Sequence, residues 1–237
     1  MSILFNGSSG FINCGSNSTL ADRQPFTVSA WIYPIDLGEV DQGNIIGRGT
    51  DVAGSWYFGF NTTNRIRFSK NWSGTDLDLS SANNVITLGD WQHVVAIYTG
   101  GSTATTSVFL YRNGFLLAPG VTQQNATGTI ESDAALGFII GNFTDESRTF
   151  DGIISEVAFW SAQLTDDEIS LLANSKIKGI PLQVRPTSLV SYWPLDDFGD
   201  RITASGTASI RDRSSNSNNG TPSNSPSSRS EEVLSYP

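Results

Sequence analysis

The sequence predicts an all-β fold: a two-sheet antiparallel sandwich with one short helix and a C-terminal tail packed on it. Three observations carry this. Short runs of alternating apolar and polar residues recur along most of the chain, punctuated by Gly, Asn, Ser and Asp. Asn113-Gly114 stands between two apolar runs, and both residues tolerate the positive φ of a tight hairpin turn. One stretch alone combines helix-start chemistry with apolar residues at helical spacing. The length of 237 residues suits a single large sandwich. A domain of that size buries roughly 70–75% of its unfolded surface and needs no staples. Cys14 is the single cysteine, so an intrachain disulfide and a cysteine metal cluster are excluded.

The elements follow in order. In residues 26–33, Phe26, Val28, Ala30 and Ile32 alternate with Thr27, Ser29, Trp31 and Tyr33; the second set is partly aromatic, so both faces of this strand are expected to be covered. Residues 56–60 and 65–69 read as a hairpin across a short polar link, with Ile66 and Phe68 facing one way and Arg65 and Arg67 the other. Residues 91–98 form a strongly β-prone strand, and 107–112 and 115–117 flank the Asn-Gly turn. Residues 136–141 and 152–160 supply two more strands. Thr165-Asp-Asp-Glu168 is a capping box: Thr165 accepts from the Glu168 amide and Glu168 reaches back. Asp166 and Asp167 suit the start of that helix, Lys176 and Lys178 its end, and Gly179 and Pro181 stop it. Residues 189–195 read as a strand with Pro194 near an edge. Residues 212–230 have the Ser/Asn/Pro-rich composition of disorder.

The net charge of −9, from 23 acidic and 14 basic residues, disfavours nucleic acid and anionic membranes as partners. No run approaches the roughly 20 apolar residues that span a bilayer, so no membrane insertion is expected. Residues 1–7 lack a basic region and a long apolar stretch, so the chain is expected to be made in the cytoplasm without a signal peptide. Its seven Asn-x-Ser/Thr sequons then reflect composition rather than glycosylation.

Five segments carry a family resemblance: Phe5-Asn-Gly-Ser-Ser-Gly-Phe-Ile12, Phe26-Thr-Val-Ser-Ala-Trp-Ile-Tyr33, Trp91-Gln-His-Val-Val95, Tyr111-Arg-Asn-Gly114 and Phe150-Asp-Gly-Ile-Ile-Ser-Glu-Val157. In this order they resemble laminin-G-like jelly-roll domains of the concanavalin A-like lectin/glucanase superfamily. The resemblance implies a jelly roll of two sheets, six or seven strands each, one gently concave. It also divides the chain into a body over 1–182 and a C-terminal segment over 183–237. In that segment, Leu189-Val-Ser-Tyr-Trp-Pro-Leu-Asp-Asp197 resembles the strand that usually opens such domains. The segment is expected to fill that first-strand slot with Trp193 and Leu195 buried, on its own body or on a neighbour's.

Candidate chemistry is sparse. A retaining glucanase needs two carboxylates about 5–5.5 Å apart, and no alternating run such as Glu-x-Asp-x-x-Glu exists. The nearest candidate, Glu156, reads as a rim or partner-facing charge with Ile154 and Ala158 on its face. His93 is the single histidine and reads as structural. The resemblance implies calcium on the sandwich rim as a candidate cofactor, with Asp145, Glu146 and Asp151 as candidate ligands and Asp196 and Asp197 behind them; Ser155 stands where the family often has an aspartate. The concave sheet is the expected ligand surface. Tyr57, Arg65, Arg67 and Trp72 offer aromatic faces and guanidinium forks to a sugar or an anionic group.

Two functions are therefore expected, neither catalytic. One is a structural or decorating protein of a virus particle, specifically a bacteriophage virion, with partners in a homo-oligomer or particle. The other is a carbohydrate-binding lectin or adhesin module whose partners are surface glycans.

Overall fold

The computed structural model describes residues 1–174 and 179–229. In chain order the strands are β1 (Ser2–Asn6), β2 (Phe11–Asn13), β3 (Phe26–Pro34), β4 (Asn44–Arg48), β5 (Trp56–Asn61), β6 (Arg65–Lys70), β7 (Leu77–Ser81), β8 (Gln92–Tyr98), β9 (Val108–Arg112), β10 (Phe115–Leu116), β11 (Pro119–Gln124), β12 (Phe138–Ile140), β13 (Asp151–Trp160), β14 (Leu189–Trp193), β15 (Thr221–Ser223) and β16 (Ser227–Arg229). Among the described residues two α-helices accompany them, the single turn α1 (Ala104–Ser107) and α2 (Asp166–Asn174). Neither is long and apolar enough to cross a membrane.

The strands form two antiparallel sheets of eight. The first runs β10-β9-β8-β3-β13-β1-β16, and β14 also pairs with β13; the second runs β11-β7-β6-β5-β4-β12-β2-β15. The count exceeds the six or seven per sheet implied by the family because the C-terminal segment adds to both sheets. β14 shares one side of β13 with β1: β1 pairs with Asp151 to Ile154, β14 with Val157 to Trp160. β15 and β16 then close the edges beside β2 and β1. Trp193 and Leu195 are fully buried, and the Trp193 ring lies 5.0 Å from that of Phe138.

Inward-facing residues of both sheets meet in one apolar core. Its centre is aromatic: Phe26, Trp56, Phe68, Phe138 and Phe159 pack with ring centroids 4.8–6.2 Å apart, inside the range where aromatic pairs attract. A second core lies outside the first sheet. There α2 lays Ile169 and Leu172 over Val95, Ile97, Ala158 and Trp160. Hence β8 is covered on both faces, and β3 is buried on both faces as far as Trp31 while Tyr33 is half-buried; the aromatic alternation of residues 26–33 implied such cover. The helix opens with the expected capping box: Thr165 N–H donates to Glu168 Oε2 at 2.8 Å, and Glu168 N–H to Thr165 Oγ1 at 3.3 Å. Lys176 and Lys178, assigned to its end, lie outside the described residues. Asn113 and Gly114 both take positive φ in the β9–β10 hairpin.

Two expectations are corrected here. Glu156 is buried rather than at the rim. A β-bulge shifts the register between Ser155 and Ala158, and Glu156 takes φ 52°. The extra residue reverses the alternation, so Ile154 faces the main core and Ala158 the second core. Glu156 accepts a hydrogen bond from the Tyr192 hydroxyl of β14. The Ser/Asn-rich stretch is also not featureless. Asp212 accepts bonds from Tyr192 N–H, Ser214 N–H, Ser214 Oγ and Asn218 N–H, each at 2.9 Å. Asn218 in turn accepts Trp193 Nε1–H at 2.7 Å on its carbonyl and donates to Ser191 Oγ at 2.8 Å.

Candidate functional site

The outward face of the second sheet is ordered by strand register. One cross-strand row runs through Thr221, Asn13, Ile139, Gly47, Tyr57, Ser69, Asp78 and Gln124, a residue from each of the eight strands. Period-two alternation sets this face. Trp56, Phe58 and Phe60 of β5 point into the core, so Tyr57 and Gly59 point out. Likewise Ile66 and Phe68 of β6 point in, and Leu77 and Leu79 of β7, leaving Arg67, Ser69 and Asp78 outside.

Tyr57, Arg67 and Asp78 form one unit. The Arg67 guanidinium carbon lies 5.2 Å from the Tyr57 ring centroid, a cation–π distance. Arg67 Nε donates to Asp78 Oδ1 at 2.9 Å and Oδ2 at 2.8 Å, and Nη2 also reaches Oδ2. Burial alone would lower the Arg67 pKa, but the Asp78 carboxylate holds it above its ordinary value. Burial raises the Tyr57 hydroxyl, with the Arg67 charge opposing. The edge of Tyr57 meets Phe143, ring centroids 5.4 Å apart. The loop carrying Phe143 continues to Thr144, whose Oγ1 is 2.6 Å from Thr50 Oγ1 and exposed. Across the row, past Gly47 and the buried Ile139, lies a shallow cavity of about 450 Å³ lined by Phe11, Asn13, Gly15, Asn219, Thr221 and Ser223. Gly47 must stay bare, since a Cβ there would meet Trp56 O at 2.8 Å.

Of the four residues expected to bind ligand, the structure brings together Tyr57 and Arg67. Arg65 shares their face, but Nε donates to Thr62 O at 2.9 Å and Nη2 to Thr62 Oγ1 at 3.2 Å, so its fork holds the hairpin. Trp72 lies past the end of β6, bridged to Ile130 and packed against the main core. Asp78 and Phe143 went unassigned; the Leu-Asp-Leu-Ser alternation of residues 77–80 was the available signal for Asp78.

The calcium ligands do not converge. Among the described residues no group of three or more His, Cys, Asp or Glu is placed to hold a metal ion. Each candidate has other work. Asp145 Oδ1 accepts Ser147 Oγ–H at 2.7 Å, Glu146 accepts from Asn224 Nδ2, and Asp151 packs against Gly7 with its pKa raised by burial and by Asp36. Asp196 and Asp197 each lie 3.5 Å from Arg213 Nη2.

Residues 6–170 match the family model described as the concanavalin A-like lectin/glucanases superfamily. No curated protein sequence matches significantly. Among solved structures, a carbohydrate-binding protein from Bacteroides ovatus, itself described as putative, is similar at TM-score 0.60 and 20% identity. The match covers 96% of this chain, tail included, and 61% of that one, so this chain spans under two thirds of its length. The CBM40 module of Ruminococcus gnavus IT-sialidase, solved with α2,3-sialyllactose, is similar at TM-score 0.55 and 12% identity, over 73% of this chain and 96% of that one. A heptameric pentraxin from Limulus polyphemus is similar at TM-score 0.53 and 19% identity, over 73% and 81%. At such identities the likeness is one of fold, a lectin-like sandwich. The chain belongs to the concanavalin A-like lectin/glucanase superfamily, as its laminin-G-like motifs implied.

Proposed function

We propose that this protein is a non-catalytic glycan-binding module that holds a neutral, extended oligosaccharide across the outward face of its second sheet. The observation that carries this is the cross-strand row centred on Tyr57, Ser69 and Asp78. Sugars present hydroxyls along their edges and weakly apolar ring faces, and are held by fixed hydrogen-bonding groups beside an aromatic ring. Arg67 and Asp78 supply fixed donors and acceptors, and Tyr57 the ring. Because Asp78 neutralises Arg67, the pair suits hydroxyls better than anions. From Tyr57 to Asn13 is three interstrand steps, about 14 Å, a span of several sugar rings. Two proteins of the same fold, one described as carbohydrate binding and one bound to sialyllactose, support a glycan as the ligand; its neutral character rests on the Arg67–Asp78 pair alone. Hydrolysis of a glycosidic bond needs two flanking carboxylates, and this row carries Asp78 alone.

The other expected role, in a virus particle, would have the C-terminal segment dock on a neighbour. The bonds described join the segment to this chain's body and carry no sign of a particle, whereas the lectin-like fold favours the glycan reading.

The test is an array of neutral oligosaccharides followed by calorimetry on the best hit. Tyr57→Ala and the paired Arg67→Gln/Asp78→Asn variant, which leaves no buried carboxylate uncompensated, are each expected to weaken binding at least tenfold, about 1.4 kcal/mol. No hit on the array, or a hit indifferent to both variants, overturns the proposal.

A further inference from the structure

The outward face of the first sheet is divided. One half is closed by α2 and the second core. The other half is open, yet its floor is apolar. Register aligns Leu4 of β1 with Ile153 of β13 and Tyr33 of β3. Tyr33 is followed laterally by Trp91, ring centroids 5.7 Å apart, both half-buried. Ile35, 53% exposed, stands at the side. A cavity of about 580 Å³ sits on this floor, within the range of small-ligand sites.

Its polar wall comes from the C-terminal segment. Arg201 and Arg229 both line the cavity, with Asp200 beside them. Backbone contacts fix the two arginines: Arg201 N–H donates to Ser228 O at 3.0 Å, and Ser2 Oγ donates to Arg229 O at 3.4 Å. Arg201 Nε is 3.7 Å from Asp200 Oδ2, but its side chain is 81% exposed, so solvent screens that pair. Among the described residues that line it, two guanidiniums stand against one carboxylate, on a chain of net charge −9. That is the reverse of the second sheet, where Arg67 is neutralised by Asp78.

We infer that this cavity is a second ligand site, opposite the first, and that it takes a carboxylate-bearing sugar. The ring lies over Tyr33 and the Leu4–Ile153 floor, and the carboxylate meets Arg201 and Arg229. Guanidinium forks match carboxylate geometry, and an aromatic next to aliphatic side chains suits a sugar's ring face. The inference is independent of the neutral-glycan site, since it uses none of its residues.

Methyl glucuronide and methyl glucoside differ in carboxylate against hydroxymethyl, and so isolate the feature invoked. Each is titrated into the isotope-labelled full chain while the Trp91 indole N–H and the Leu4 and Tyr33 amides are followed by NMR. The glucuronide is expected to shift these signals with at least tenfold higher affinity than the glucoside. The Arg201→Gln/Arg229→Gln double variant is expected to bring the two within twofold, with its remaining spectrum unchanged. Equal affinity of the two sugars, no response at these signals, or glucuronide shifts confined to the Tyr57 face each overturn the inference.

Discussion

His93 shows how far one residue can be read from sequence. Its place in Trp91-Gln-His-Val-Val95 marked it as structural, and it is buried on the outward side of the first sheet, 5.4 Å from the Trp31 ring. Burial alone pushes its pKa down from 6.5 to about 3. The native state therefore resists protonation that the unfolded chain accepts. Its contribution to stability is fully present above pH ~6.5 and is lost as pH falls from there toward 3, at up to ~1.4 kcal/mol per pH unit. Denaturant melts between pH 7 and 4 are expected to show this loss, and His93→Gln to flatten it. An equally steep acid limb in the variant would assign the effect to other groups. Other residues were only partly legible. Alternation placed Arg65 on the right face but could not show that the Thr62 carbonyl takes its fork. Asp78 was hidden because a five-residue strand with only two leucines, beside an aspartate and two adjacent serines, carries a weak apolar signal.

At the scale of elements, strands with long alternation and the capping box were legible because their chemistry is local. The bulge in β13 was not, since nothing in Ile-Ser-Glu-Val reveals an extra residue; it follows from how β13 is shared between β1 and β14. The C-terminal segment carried two opposed signals. Its Trp-Pro-Leu motif spoke for packing, and its Ser/Asn richness for disorder. Packing prevails because those side chains saturate backbone groups around Asp212 and Asn218. Asp212→Ala, leaving buried donors unmatched, is expected to cost about 2–4 kcal/mol, and Trp193→Ala about 3–5 kcal/mol. Both are read from chemical denaturation. Removal of 187–237 is expected to expose the β1 and β2 edges and half of β13, giving aggregation as well as a lowered melting temperature. A truncated chain that melts unchanged would show that the segment is no part of the folding unit.

Across the whole molecule, the two outward faces differ in what covers them. The first sheet is half closed by α2, whereas the outward row of the second presents the Tyr57, Arg67 and Asp78 unit. What the sequence made plain is the sandwich and its family; what it hid is the use of each face, because that depends on register between strands far apart in the chain. The row from Thr221 to Gln124 draws on residues spread over more than two hundred positions. The proposed function requires that row to be a glycan surface. Its most direct test is an NMR titration of the labelled full chain with the neutral oligosaccharide that binds best on the array. Shifts clustered at Gly47, Tyr57, Ser69 and Asp78 and extending toward Asn13 are predicted. Shifts elsewhere, on the α2 side or the loops alone, would contradict it.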